Sequence, residues 1–326
     1  MPSCHSGSPR LEGLQGLRMT GDESRTRLVA ILAALGVVTL WSSSWMPIKL
    51  MVQEIPPLTF AGLRYFIAFL TLAPFAATAS NRRILHTVSR NMWLTLAALG
   101  LLLYCIGVGG QYVALSQLPT VTTRLLFAFD MIVVALLSGM LLRERPAWLQ
   151  FLGIVVALAG IYLYFYPVDL SIEQAMGICA CVLGTMGFAL AAIVGRHVGR
   201  SRALSPLLVT VVSMGVGGLV LICCGLLLEG VPAVSPRNWL IILWLSLVNT
   251  SLAFVIWNYT LRTLTAVESN IITNVMVPEI AVLGWWFLGE RLSWVDVVGL
   301  GVVVLGTVLV QLGGARVIAR EATETG

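Results

Sequence analysis

The chain has 326 residues, 58% hydrophobic and only 11% charged, with mean hydropathy +0.92 and a formal net charge of +5. A water-soluble domain carries about 25% charged residues, so these side chains cannot cover an aqueous surface, and soluble-domain classes are excluded. Repeated apolar stretches of about 20 residues predict an all-α polytopic membrane protein, and Arg scattered over short loops reads as a topology signal rather than a nucleic-acid surface.

Residues 1–27 are polar, rich in Gly, Ser and Arg, and lack an apolar core. They read as a disordered cytoplasmic tail, with Met19 as an alternative start. Ten spans follow, at 28–49, 58–79, 92–115, 118–142, 147–166, 174–195, 205–228, 238–260, 268–289 and 294–313, with 314–326 as a second cytoplasmic tail. Short links make consecutive spans antiparallel neighbours. With the N-terminus in the cytoplasm, fifteen Arg fall on cytoplasmic segments. Only Lys49, Arg237 and Arg291 fall on the opposite side. The positive-inside rule then places both termini in the cytoplasm.

In chain order, the first span holds Trp41-Ser42-Ser43-Ser44-Trp45, where Trp41 and Trp45, one turn apart, form with Pro47 a candidate pocket wall and Ser44 is a candidate substrate-binding or proton-coupling residue. Lys49 at its end reads as a snorkelling side chain. Arg64 lies in the second span, and Tyr104, Gln111 and Tyr112 in the third. The fourth carries Arg124 and Asp130, six apart and therefore on different helix faces. Gly153 and Gly160 in the fifth, seven apart, read as a packing face. The eighth contains Asn249-Thr250-Ser251 and Asn258.

The ninth span reads "NVMVPEIAVLG" at 274–284. Glu268, Glu279 and Glu290 are spaced eleven apart, so on a continuous helix they share one face and step about 16 Å along it. Pro278 frees the carbonyl of Asn274, which with the Asn274 amide makes a polar notch beside Glu279. A carboxylate within a span must be paired, wetted or protonated. Arg64 or Arg124 is expected to neutralise Asp130 or Glu279 across helices. Glu144 and Glu290 read as structural helix-end residues.

Five of the six cysteines lie in apolar runs and read as small hydrophobes, and the three histidines lie in the tail or loops. Neither a metal nor another cofactor is expected. No nucleotide-binding loop, GxSxG or HExxH occurs, so neither direct ATP drive nor a lipid-modifying membrane enzyme is indicated.

The chain repeats at a shift of 146: Leu115, Leu118, Glu144, Arg145, Trp148, Gly153 and Gly160 match Leu261, Leu264, Glu290, Arg291, Trp294, Gly299 and Gly306. The units, 28–166 and 174–313, hold five spans each, and an odd number inverts the second relative to the first. Inverted repeats favour alternating access around a site between the halves.

The stretch "LWSSSWMPIKLMVQEIPPLTFAGLRYFIAFLTLAPF" (40–75) resembles the opening of an EamA unit of the drug/metabolite transporter superfamily. "LLRERPAWLQFLGIVVALAGIYL" (141–163) and "FLGERLSWVDVVGLGVVVLGTVL" (287–309) resemble the unit's ending. Arg143 stands where that pattern prefers Gly, and Val277-Pro278-Glu279 where apolar residues usually follow the Pro. The resemblance implies ten helices in two inverted units moving small metabolites across a cytoplasmic membrane. The expected partners are the lipid bilayer, a small-molecule substrate and a coupling proton, with no nucleic acid and a monomeric or homodimeric state. An amino-acid-like substrate needs a cation for its carboxylate, from Arg64 or Arg124, and an anion for its amine, from Glu279 or Asp130. Export of lipophilic cationic drugs is the alternative.

Overall fold

The structure is a computed structural model that describes residues 21–127, 129, 132–133, 148–164, 172–201, 203–264, 266–290 and 293–324. Among the described residues there is no strand. The helices are α1 (Gly21–Met51), α2 (Pro57–Ala76), α3 (Ala79–Thr87), α4 (Arg90–Gln117), α5 (Thr120–Phe127) and α6 (Trp148–Tyr164). They are followed by α7 (Ile172–Ser201), α8 (Pro206–Glu229), α9 (Pro236–Thr260), α10 (Ala266–Asn274), α11 (Met276–Leu288) and α12 (Trp294–Glu324). Seven helical stretches within the described residues are long and apolar enough to cross a membrane, and two shorter apolar helices accompany them. The protein is an all-α, multi-pass membrane protein.

Local chemistry sets many helix starts. Ser205 and Ser235 cap α8 and α9 by accepting from the amides of Leu208 and Asn238, and Pro206 and Pro236 occupy first-turn positions whose N–H groups have no helical partner. The short α3 occupies what the sequence suggested was a plain loop. Thr78 caps it, and Leu85 leans on the core while Arg82, Arg83 and His86 stay exposed. Helix α12 runs on to Glu324, past the expected end at 313, because Ala, Arg and Glu continue the helix readily in water.

The contacts respect an exchange of the two units. Helix α2 packs along α8 and α6 along α12, each joining counterpart helices. Helix α1 lies on α9 and α11, and correspondingly α7 lies on α4 and α5. The counterpart pairs approach closely. A Cβ on Gly306 would lie 2.4 Å from the Ala157 amide nitrogen, and one on Gly153 2.6 Å from that of Val310. Close backbone approach through small residues holds membrane helices together, since lipid tails offer no hydrophobic drive between them.

Helices α4 and α9 each contain a π-helical segment, at Leu101–Val108 and Leu247–Leu252. Their first residues stand at the repeat shift of 146, so both units carry the irregularity at the same register. Such segments re-aim side chains and accompany functional sites.

A buried arginine and a hydroxyl-held glutamate

Arg64 on α2 is buried, at 4% exposure. Its Nε donates to Thr250 Oγ1 at 2.9 Å and one terminal nitrogen, Nη1, donates to the Tyr112 hydroxyl at 2.9 Å. Its guanidinium lies 5.4 Å from the Tyr65 ring centroid. The other terminal nitrogen, Nη2, has no hydrogen-bond partner among the described residues. A buried cation ringed by neutral hydroxyls and an aromatic face is stabilised by charge-assisted bonds and ring electrons, with no carboxylate partner among the described residues.

Thr250 reaches Arg64 because it sits in the π segment of α9. Its hydroxyl donates to the Leu245 carbonyl at 2.9 Å, and that of Ser251 to the Ser246 carbonyl at 3.0 Å, both five residues back. The hydroxyls thus help satisfy the widened helix. Asn249 donates from Nδ2 to the Leu40 carbonyl at 2.5 Å and accepts at its own carbonyl from Trp41 Nε1 at 3.1 Å. Its side-chain oxygen is buried and accepts no hydrogen bond among the described residues.

Beyond Trp41 on α1 lies Glu279. Its two oxygens accept from Thr39 Oγ1 at 2.9 Å and Ser42 Oγ at 2.6 Å. Thr39 and Ser42 are three apart on α1, so both face α11. The expected neutralisation of Glu279 by Arg64 or Arg124 is not found. Among the described residues Glu279 has hydroxyl partners and no cationic one. The physical reason is register, since α1 and α9 stand between the acid and Arg64. One continuous chain of contacts nevertheless links them, running Glu279, Ser42, Trp41, Asn249, Thr250, Arg64 and Tyr112. Trp41 also stacks obliquely on Trp257 and Phe254, with ring centroids 5.2 and 5.6 Å away.

Other candidates fall elsewhere. Trp45 is buried in the apolar core. Among the described residues, Ser44 and Asn258 bond only to carbonyls of their own helices. Tyr104 is buried against Tyr65, at 5.1 Å between centroids, and Gln111 is half-buried with no hydrogen bond among the described residues. Arg124 is half-buried on α5 and Asn274 ends α10. Asp130 and Glu144 lie outside the described residues. Lys49 does not snorkel freely: it donates to the carbonyls of Leu115 and Leu118 at 2.7 and 2.8 Å. The glutamate stripe is interrupted, because the helix breaks at Val275, three residues before Pro278, and Glu290 stands beyond the end of α11. Sequence reasoning passed over Thr39. Its signal was a hydroxyl one turn before Ser42, at the end of the apolar run 28–38.

The EamA-like transporter family model matches residues 28–166 and 175–312. The chain is similar to the inner membrane transporter YedA of Escherichia coli (strain K12), with 26% identity over 88% of this chain and 92% of that one. It is similar to the transporter YoaV of Bacillus subtilis (strain 168), with 22% identity over 81% and 90% of the two chains. Protein PecM of Dickeya dadantii matches 61% of this chain and 67% of its own length at 27% identity. A solved crystal structure aligns with a TM-score of 0.62 and 15% identity, covering 89% of this chain and 98% of that one, which shows a shared fold. Two family units that together span nearly the whole described membrane region leave one assignment: the chain belongs to the EamA-like transporter family.

Proposed function

We propose that the protein is a secondary transporter that exports small, amino-acid-like zwitterions across the cytoplasmic membrane by alternating access, with both termini in the cytoplasm. The observation that carries this reading is the separation of Arg64 from Glu279: two opposite charges, contributed by different units, each held by hydroxyls instead of by the other. Arg64 receives the substrate carboxylate through its open terminal nitrogen. Glu279 receives the ammonium or a coupling proton, and Asn249 offers a further acceptor. Gly36, one turn before Thr39, has open space where a side chain would be, which supports an approach to Glu279 from the α1 side. Inversion of the units supplies the exchange of conformations that alternating access requires.

The test is flux of labelled amino acids in proteoliposomes. Arg64→Met and Glu279→Gln are each expected to reduce uptake or counterflow of the transported zwitterion at least about tenfold, the effect of removing a charge-assisted bond. Flux unchanged in both variants rejects the assignment. The cluster of Trp41, Trp257 and Phe254 beside Glu279 favours a second reading, export of lipophilic cations. In that case a growth-inhibition panel responds to Glu279→Gln and not to Arg64→Met.

A further inference from the structure

The turn between α4 and α5 is held from both sides by charge. On one side Lys49 Nζ donates to the carbonyls of Leu115 and Leu118, and Gln53 Nε2 donates to that of Ser116 at 3.1 Å. On the other, Glu290 accepts from the amides of Thr120 at 2.7 Å and Val121 at 3.1 Å. Each charge has the sign its helix end prefers: an ammonium on the carbonyl end of α4, a carboxylate on the amide end of α5. Pro119, between them, has no N–H to contribute. The two charges come from different units, Lys49 from α1 and Glu290 from just past α11, and hold the same turn from its two sides. Gly289 makes the reach of Glu290 possible. Its φ of +64° turns the chain at the end of α11.

We infer that Lys49 and Glu290 form a releasable clamp on the α4–α5 turn, closing the entrance at the end of the molecule away from both termini. This rests on the alternating-access reading above. The same end carries further ties between the units: Glu229 accepts from the amides of Leu58 and Thr59 at 3.1 and 2.9 Å, and Asn238 donates to Glu54 at 2.8 Å. The Lys49–Glu290 pair, like Glu229, binds helix-end groups, and that choice of partners suits it to opening. Helix-end carbonyls and amides are hydrated readily once exposed, so release exchanges protein bonds for water and strands no buried group. At the opposite end α1 is tied to α10 by the Arg27–Glu268 pair, which is partly exposed and so weakened by solvent. The ties between the units at the Lys49 end are what we take to close it.

The experiment places a reporter cysteine at Thr39, beside Glu279, and measures its reaction with a membrane-impermeant maleimide from each face, relative to the chain without the reporter. In the parent, labelling from the Lys49 side is expected to be slow. Lys49→Met and Glu290→Ala are each expected to raise it about tenfold. The double variant should add little to either single change, because one turn is being released, and Lys49→Arg should stay near the parent. Labelling from that side unchanged in both single variants overturns the proposal. So does loss of a monodisperse folded protein in both, which would make the pair part of the fixed scaffold. Labelling needs no knowledge of the substrate, so a failure of the zwitterion assignment, read in the flux assay, is distinguishable from a failure of the clamp.

Discussion

Arg64 is costly to bury, and the cost is met by geometry that only particular neighbours provide. A guanidinium leaving water needs charge-assisted bonds in fixed directions. Thr250 supplies one of these while spending its own proton on the Leu245 carbonyl, so its oxygen is free to accept. A hydroxyl is suited to this double task because it donates and accepts at one atom. Thr250→Val keeps the shape and removes both bonds. It is expected to destabilise the protein by about 1–3 kcal/mol, the cost of leaving a buried donor unmet. Thr250→Ser should recover most of that loss. Thermal unfolding in detergent checks both, and an unchanged midpoint for the Val variant would show that Arg64 is held by Tyr112 alone. That Arg64 and Glu279 are polar groups of interest was legible from the sequence, since charges within apolar spans stand out. Their partners were not, because Thr and Ser occur throughout membrane helices and only the fold shows which of them face a charge.

At the scale of elements, α1 acts as a rail for the ninth span. Arg27 meets Glu268, and Thr39 and Ser42 meet Glu279, so two of the three glutamates find partners on one parallel helix, while Glu290 turns to the α5 amides. The spacing was readable, and where Pro278 was expected to bend the helix, the helix breaks at Val275. The π segments of α4 and α9 were not readable, since one extra residue per turn leaves hydrophobic periodicity almost unchanged over so short a stretch. Glycine spacing, by contrast, reported directly on packing. Gly153 and Gly160 of α6 face Gly306, Val310, Gly299 and Val303 of α12 at backbone distance. With a Cβ at Gly306 already 2.4 Å from the Ala157 nitrogen, Gly306→Leu must push α12 away from α6. The expected loss is at least about 1–3 kcal/mol, typical of overpacking. It should appear as a lowered unfolding midpoint in detergent, whereas Gly301→Leu, which has nothing within 4 Å of its Cβ, should leave the midpoint near that of the parent. Equal losses at both positions would mean that close α6–α12 contact is not what the glycine serves.

At the scale of the whole molecule, two inverted units share one membrane, so each face is built from non-equivalent ends of equivalent helices. Inversion alone leaves both orientations open, and charge selects between them. The helix order puts Arg82, Arg83 and Arg90, around α3, on the same face as Arg196, Arg262 and the start of α1. Lys49, Arg237 and the clamp on α5 lie on the other. Lys and Arg near span ends resist translocation, and fifteen against three is a large bias for loops this short. The α3 segment should therefore lie on the cytoplasmic surface, its Arg side chains toward anionic headgroups and Leu85 toward the core. A cysteine at His86 is expected to react with an impermeant thiol reagent in inside-out vesicles and not in intact cells. A cysteine at Val231, exposed in the α8–α9 link, should show the reverse. Reaction of the His86 position in intact cells would invert the molecule. The zwitterion site would then meet its substrate from the other side, and the clamp at Lys49 and Glu290 would close the cytoplasmic entrance.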